Sequence, residues 1–144
     1  MSIWTHIAGN IRIDALAFLG TKFVDELKVN IGSSCSFSDE TEVWDKCTVP
    51  TGSEGSVQYK IISYGEPTHL AWGSVQVWGD LRDFDSPQEI FNWVQRICSG
   101  IEYSVRQCAV FVEVEDAGRY FIYLDSEAER GSRGEQVVKM VELK

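Results

Sequence analysis

Residues 85–100, DSPQEIFNWVQRICSG, restrict this chain more than any other stretch, because every local signal in them agrees. Ser86 is placed to accept from the backbone N–H of Glu89, and Glu89 to reach back to Ser86, which is a capping box. Pro87 stands at the first helical position, where a missing N–H costs nothing. Ile90, Trp93, Val94, Ile97 and Ile101 recur at helical spacing, with Gln88, Asn92, Gln95, Arg96 and Ser99 opposite. Gly100 is expected to take the left-handed position that ends a helix. One amphipathic helix with strand-like segments on both sides needs a sheet to bury its apolar face.

Those segments can be read in order. Residues 3–14 alternate, with Ile3, Ile7, Ile11 and Ile13 to one side and Trp4, His6, Ala8, Asn10 and Arg12 to the other. Residues 15–29 read as a first helix, with Asp14 a candidate N-cap and Leu16, Leu19, Phe23, Val24 and Leu27 on one face; Gly20 weakens it, and a start only after Gly20 is the alternative. Residues 31–56 form a long connection holding either a short strand near 42–44 or a functional loop. Strands are expected at 57–64 and 70–80, joined by a Gly65-Glu66-Pro67 turn, then at 103–115, 119–125 and 137–143. Asp116-Ala117-Gly118 turns between two of them, and 126–135 read as a loop. The order is that of an α+β domain of ferredoxin-like, split βαβ arrangement: an antiparallel sheet with two helices on one face. At 144 residues the chain reads as one such domain.

Strand parity then points to a surface. The face away from the helices collects Trp4, His6, Arg12, Trp72, Gln76, Trp78, Phe111 and Glu113, where a solvated sheet normally shows polar residues. Three tryptophans and a phenylalanine there describe a binding surface, or one covered by a loop or a second subunit. The segment PTGSEGS, residues 50–56, carries turn chemistry whose N–H groups at Ser53 could cradle an anion, with Lys60, Arg12 or Arg82 adding charge; an ordinary tight turn is the alternative. Its spacing is not that of a P-loop. In GDLRDF, residues 79–84, Asp80, Arg82 and Asp83 either meet a ligand or satisfy one another.

Other chemistry is weaker. WTHIA and PTHLA invite comparison with two-histidine phosphoesterases, but Ala8 and Ala71 stand where a hydroxyl is needed. The proposed topology also puts His6 and His69 at opposite edges of the sheet. Cys35, Cys47, Cys98 and Cys108 show no zinc-ligand spacing, and the acidic residues Asp39, Glu40, Glu42 and Asp45 lack calcium-loop spacing, so no metal or cofactor is expected. Cys98 and Cys108 read as small core residues; Cys35 and Cys47 could pair if oxidised. A formal net charge of −9 argues against gripping nucleic acid through its phosphates. No stretch approaches the ~20 apolar residues of a membrane span and no secretory leader opens the chain, so a cytoplasmic protein is expected.

The opening IWTHIAGNIRID, the PTGSEGS segment, and GDLRDF with the following FNWV together resemble small proteins encoded by tailed bacteriophages, over most of the chain. That resemblance implies expression in a bacterial host's cytoplasm, carries over no functional residue, and suggests a protein that acts by binding. The expectation is a non-enzymatic protein that sequesters a small anionic, nucleotide-like ligand or host-defence signal on the aromatic face. The alternatives are an acidic inhibitor of a host protein and a phosphodiesterase-like enzyme. A homo-oligomer joined through the same face is a further expectation.

Overall fold

The computed structural model describes residues 2–16, 20–33, 49–64, 70–100, 103–125 and 138–144. They form β1 (Trp4–Leu16), α1 (Gly20–Ile31), β2 (Gln58–Tyr64), β3 (Leu70–Arg82), α2 (Pro87–Ile97), β4 (Ser104–Val114), β5 (Gly118–Leu124) and β6 (Val138–Leu143). The strands make one antiparallel sheet in the order β2-β3-β1-β4-β5-β6. β3 therefore lies between β1 and β2, and β1 between β3 and β4.

The alternation seen in the sequence decides which face is buried. Along β1, Ile7, Ile11 and Ile13 are buried, with Val75, Val77 and Leu81 of β3 and Cys108, Val110, Val112 and Val114 of β4 beside them. Phe23, Leu27 and Ile31 of α1 and Ile90, Trp93, Val94 and Ile97 of α2 join the same core. Each aliphatic side chain so enclosed contributes on the order of 1.5–3 kcal/mol relative to exposure. Among the described residues Thr5 is the buried polar member, and its hydroxyl donates to the Phe84 carbonyl. Ile3 departs from the expected set: it is exposed, one residue before the ladder begins.

α2 begins as its sequence demands, with the Glu89 N–H donating to the Ser86 hydroxyl at 3.2 Å. Its end differs. Cys98 caps the helix in a right-handed conformation, and Gly100 is not left-handed. Gly100 instead leaves room for Tyr103, whose ring carbon Cζ would lie 2.1 Å from an added Cβ. The Tyr103 hydroxyl donates to the Ile97 carbonyl, closing the helix from outside. Ile101 lies outside the described residues.

α1 begins at Gly20, close to the later of the two starts its sequence allows. Asp14 is not its N-cap, because Asp14, Ala15 and Leu16 continue β1 opposite Trp72, Ala71 and Leu70. A ladder bonded to a neighbouring strand outweighs the small helical preference of those residues. The helix closes at Gly32, with φ 82° and an N–H donated to the Lys28 carbonyl at 2.9 Å. From α2, Trp93 Nε1 donates to the Ile31 carbonyl at 2.8 Å and Arg96 Nε to the Asn30 carbonyl at 2.7 Å, so one helix satisfies the open end of the other. Leu19, the 42–44 strand, Cys35, Cys47, the Asp39–Asp45 acids, the 65–67 turn and 126–135 lie outside the described residues. Among the described residues no helix is long and apolar enough to cross a membrane.

Candidate functional site: the open sheet face

The face opposite the helices is built from the alternate residues of all six strands. Register places Gln58, Trp78, Ala8, Phe111, Phe121 and Val141 in one row across the whole sheet. Trp78 is 45%, Phe111 52% and Val141 44% exposed, unlike the buried alternates beneath them. Phe111 and Phe121 stack at 4.7 Å between ring centroids, and Phe121 and Tyr123 at 5.6 Å. Ala8 stands between Trp78 and Phe111. Strands two apart are roughly 9.5 Å from one another, so a small residue between two large ones leaves a slot about one flat ring wide.

On one side of this apolar row, register sets Asp80, His6, Glu113 and Arg119, with Glu115 just beyond. His6 Nδ1 lies 2.6 Å from Asp80 Oδ1 and Nε2 lies 2.9 Å from Glu115 Oε1. An imidazolium donates through both nitrogens, so these bonds, Asp80 first, raise the His6 pKa above 6.5 against the lesser opposing effect of desolvation. Glu113 accepts from Arg119 Nε at 2.9 Å. The β4–β5 hairpin adds Asp116, in a left-handed conformation at φ 61°.

The other side is richer in cations. Lys60, Gln76, Asn10, Ala109, Tyr123 and Lys139 form the next row, and Arg12 lies beyond it. Arg106 Nε donates to Asp14 Oδ2 at 2.9 Å, Arg12 Nε lies 3.8 Å from Asp14 Oδ1, and Lys139 Nζ 2.9 Å from Asp125 Oδ2. The face thus has an apolar middle, an acid-rich end and a base-rich end.

The residues singled out from sequence divide accordingly. Trp4, His6, Trp78, Gln76, Phe111 and Glu113 come together around β1. Trp72 shares their face by register but pairs with Asp14, six residues from Trp78 along β3, or about 20 Å; its side chain lies outside the described residues. Arg12 is at that far end too. Arg82, paired with Trp4, and Ser53 beside it sit at the opposite end. There the Ser53 N–H donates to the Arg82 carbonyl at 2.8 Å, the Gly52 N–H to the Gly55 carbonyl at 2.9 Å, and the Ser53 hydroxyl to Asp83 Oδ2 at 2.8 Å. Arg82 Nη1 donates to Glu54 Oε1 at 2.6 Å. The Ser53 N–H thus binds the end of β3 and the Gly52 N–H closes the turn on itself, so neither stands open as a nest, and an added Cβ at Gly52 would lie 2.4 Å from the Arg82 carbonyl oxygen.

Sequence reading did not single out Phe121, Tyr123 and Val141, nor Asp80 and Glu115 as the partners of His6. The alternation of Arg119, Phe121 and Tyr123 carried part of that signal; the register across the hairpin supplied the rest. His69 lies outside the described residues, but its neighbour Leu70 pairs with Leu16, ten residues beyond His6 on β1 and so about 33 Å from it. Cys98 and Cys108 are buried and free, and the Cys108 contact together with burial pushes the Cys98 thiol up, away from a nucleophilic thiolate. Among the described residues no group of three His, Cys, Asp or Glu could hold a metal ion. Compared with protein-family models, curated proteins and solved structures, the chain matches none.

Proposed function

We propose that this is a non-enzymatic binding protein of phage type, acting on a nucleotide-like small molecule or host-defence signal in the cytoplasm of a bacterial host. Its scaffold is a ferredoxin-like, split βαβ core made of β2, β3, β1 and β4 with both helices, extended by β5 and β6 at one edge; the strand order supports that reading. The observation that carries the function is the row in which exposed Trp78 and Phe111 flank Ala8. A flat base stacked there gains on the order of 1–3 kcal/mol per aromatic contact. Lys60, beside Gln76, is the cation nearest the slot with no ion pair to a described residue, and would meet a phosphate.

Thermal-shift measurement against cyclic and linear nucleotides tests this. A rise in Tm with one of them, lost in Trp78→Ala and Phe111→Ala, is expected. No shift with any nucleotide removes the small-ligand reading.

A second reading, an acidic protein that inhibits a host protein, is favoured by the length of the apolar row, which runs over five strands from Trp78 to Val141, roughly 19 Å at 4.8 Å per strand and longer than one stacked base. Retention of a stoichiometric protein by the wild type but not by Phe111→Asp, with no nucleotide shift, separates it from the first.

A further inference from the structure

We propose that the occupant of the open face is a second copy of this chain, docked face to face with its strands antiparallel and its apolar row over the first. The proposal rests on the reading of this face as the binding surface and names what closes it.

Charge selects this arrangement. Above the apolar row lie Asp80, Glu113, Glu115, Asp116 and Glu54 with Arg119, Arg82 and His6; below it lie Lys60, Arg12, Arg106 and Lys139 with Asp14 and Asp125. A twofold axis along the row, across the strands, turns each copy end for end. It sets the acid-rich end of one copy over the base-rich end of the other, twice. A twofold axis along the strands would set acid over acid, which like-charge repulsion disfavours. In the chosen orientation Asp80 faces the region of Lys60 of the second copy, and Trp4 the region of Arg12 of the second copy, within reach of a cation–π contact.

Area agrees. Six strands about 4.8 Å apart, averaging about 30 Å in length, present roughly 900 Å² per copy, against about 800 Å² per partner in a standard stable interface. Packed sheets stand about 10 Å apart with strands nearly aligned, which brings the two apolar rows against each other. The sites also complete one another: Ala8 meets Ala8 of the second copy, and the Trp78 and Phe111 rings of both copies enclose the gap that two alanines leave. The ligand slot becomes a box instead of an open groove.

Light scattering and sedimentation over about 1–300 μM, with melting curves recorded for every variant, provide the test. A dimer is expected, returned to monomer by Phe111→Asp and by Val141→Lys while both variants keep a cooperative melt. Asp80→Lys and Lys60→Asp should each weaken dimerisation at least tenfold, and the double variant should restore it. A monomer at all concentrations overturns the proposal, as does a dimer indifferent to both apolar changes. A double variant as weak as the singles overturns the orientation. The nucleotide thermal shift is read independently, so a monomer that still binds a nucleotide through Trp78 sinks the dimer and leaves the binding face standing.

Discussion

His6 is one residue in which position alone creates chemistry. Its parity on β1 turns it outward, and register delivers one carboxylate from β3 and one from just past β4 to its two nitrogens. Because the folded pKa is raised above the unfolded value near 6.5, the protonated ring stabilises the fold. That contribution is complete below 6.5 and is lost as pH rises through the higher folded value. The ring is 40% and Asp80 67% exposed, so solvent screens the effect. Melting temperature measured from pH 6 to 9 should therefore fall modestly for the wild type relative to His6→Gln, with the two curves parallel above that window. A wild type that gains on His6→Gln as pH rises would contradict the contacts.

Among the elements, the β1–β4 ladder depends on one missing side chain. An added Cβ at Gly9 would lie 2.4 Å from the Ala109 carbonyl oxygen and 2.6 Å from the Val110 Cα, both backbone atoms that no rotamer change can move. Gly9→Ala should cost about 3 kcal/mol, toward the upper end of overpacking penalties, and urea unfolding monitored by circular dichroism measures it. A cost below about 0.5 kcal/mol would mean the strands part more easily than this register implies. The helices are tied differently. α2 carries its own N-cap in the Ser86 hydroxyl, whereas α1 ends against Trp93 and Arg96 of its neighbour. α1 is thus the helix whose end depends more on tertiary contact.

For the molecule as a whole, the two sides of one sheet do different work, and substitution should separate them. Ile11 is fully buried at the centre of the core, so Ile11→Ala should lose about 2–5 kcal/mol of stability. Phe111 is 52% exposed on the opposite side. Phe111→Ala should leave stability within about 1 kcal/mol while abolishing whatever the face binds. Equal destabilisation by both, read from urea midpoints, would make the open face a second core instead of a recognition surface.

The residues themselves settled everything that repeats at a fixed period. Alternation alone separated Ile7, Ile11 and Val75 from His6, Ala8 and Trp78, and the signals from Ser86 to Glu89 placed the start of α2. Such features are local, since each depends on backbone geometry within a few residues. Where strands slide against one another is not local. The pairing of Ala8 with both Trp78 and Phe111, the extension of the row through Phe121 to Val141, and the carboxylates on His6 required register across segments up to 109 residues apart. Gly100, left free of a turn by the packing of Tyr103, and Ala15–Leu16, drawn from helix into strand, show the same thing. Period is carried by neighbours along the chain; register is decided by which distant backbone satisfies the hydrogen bonds, and only folding brings that backbone near.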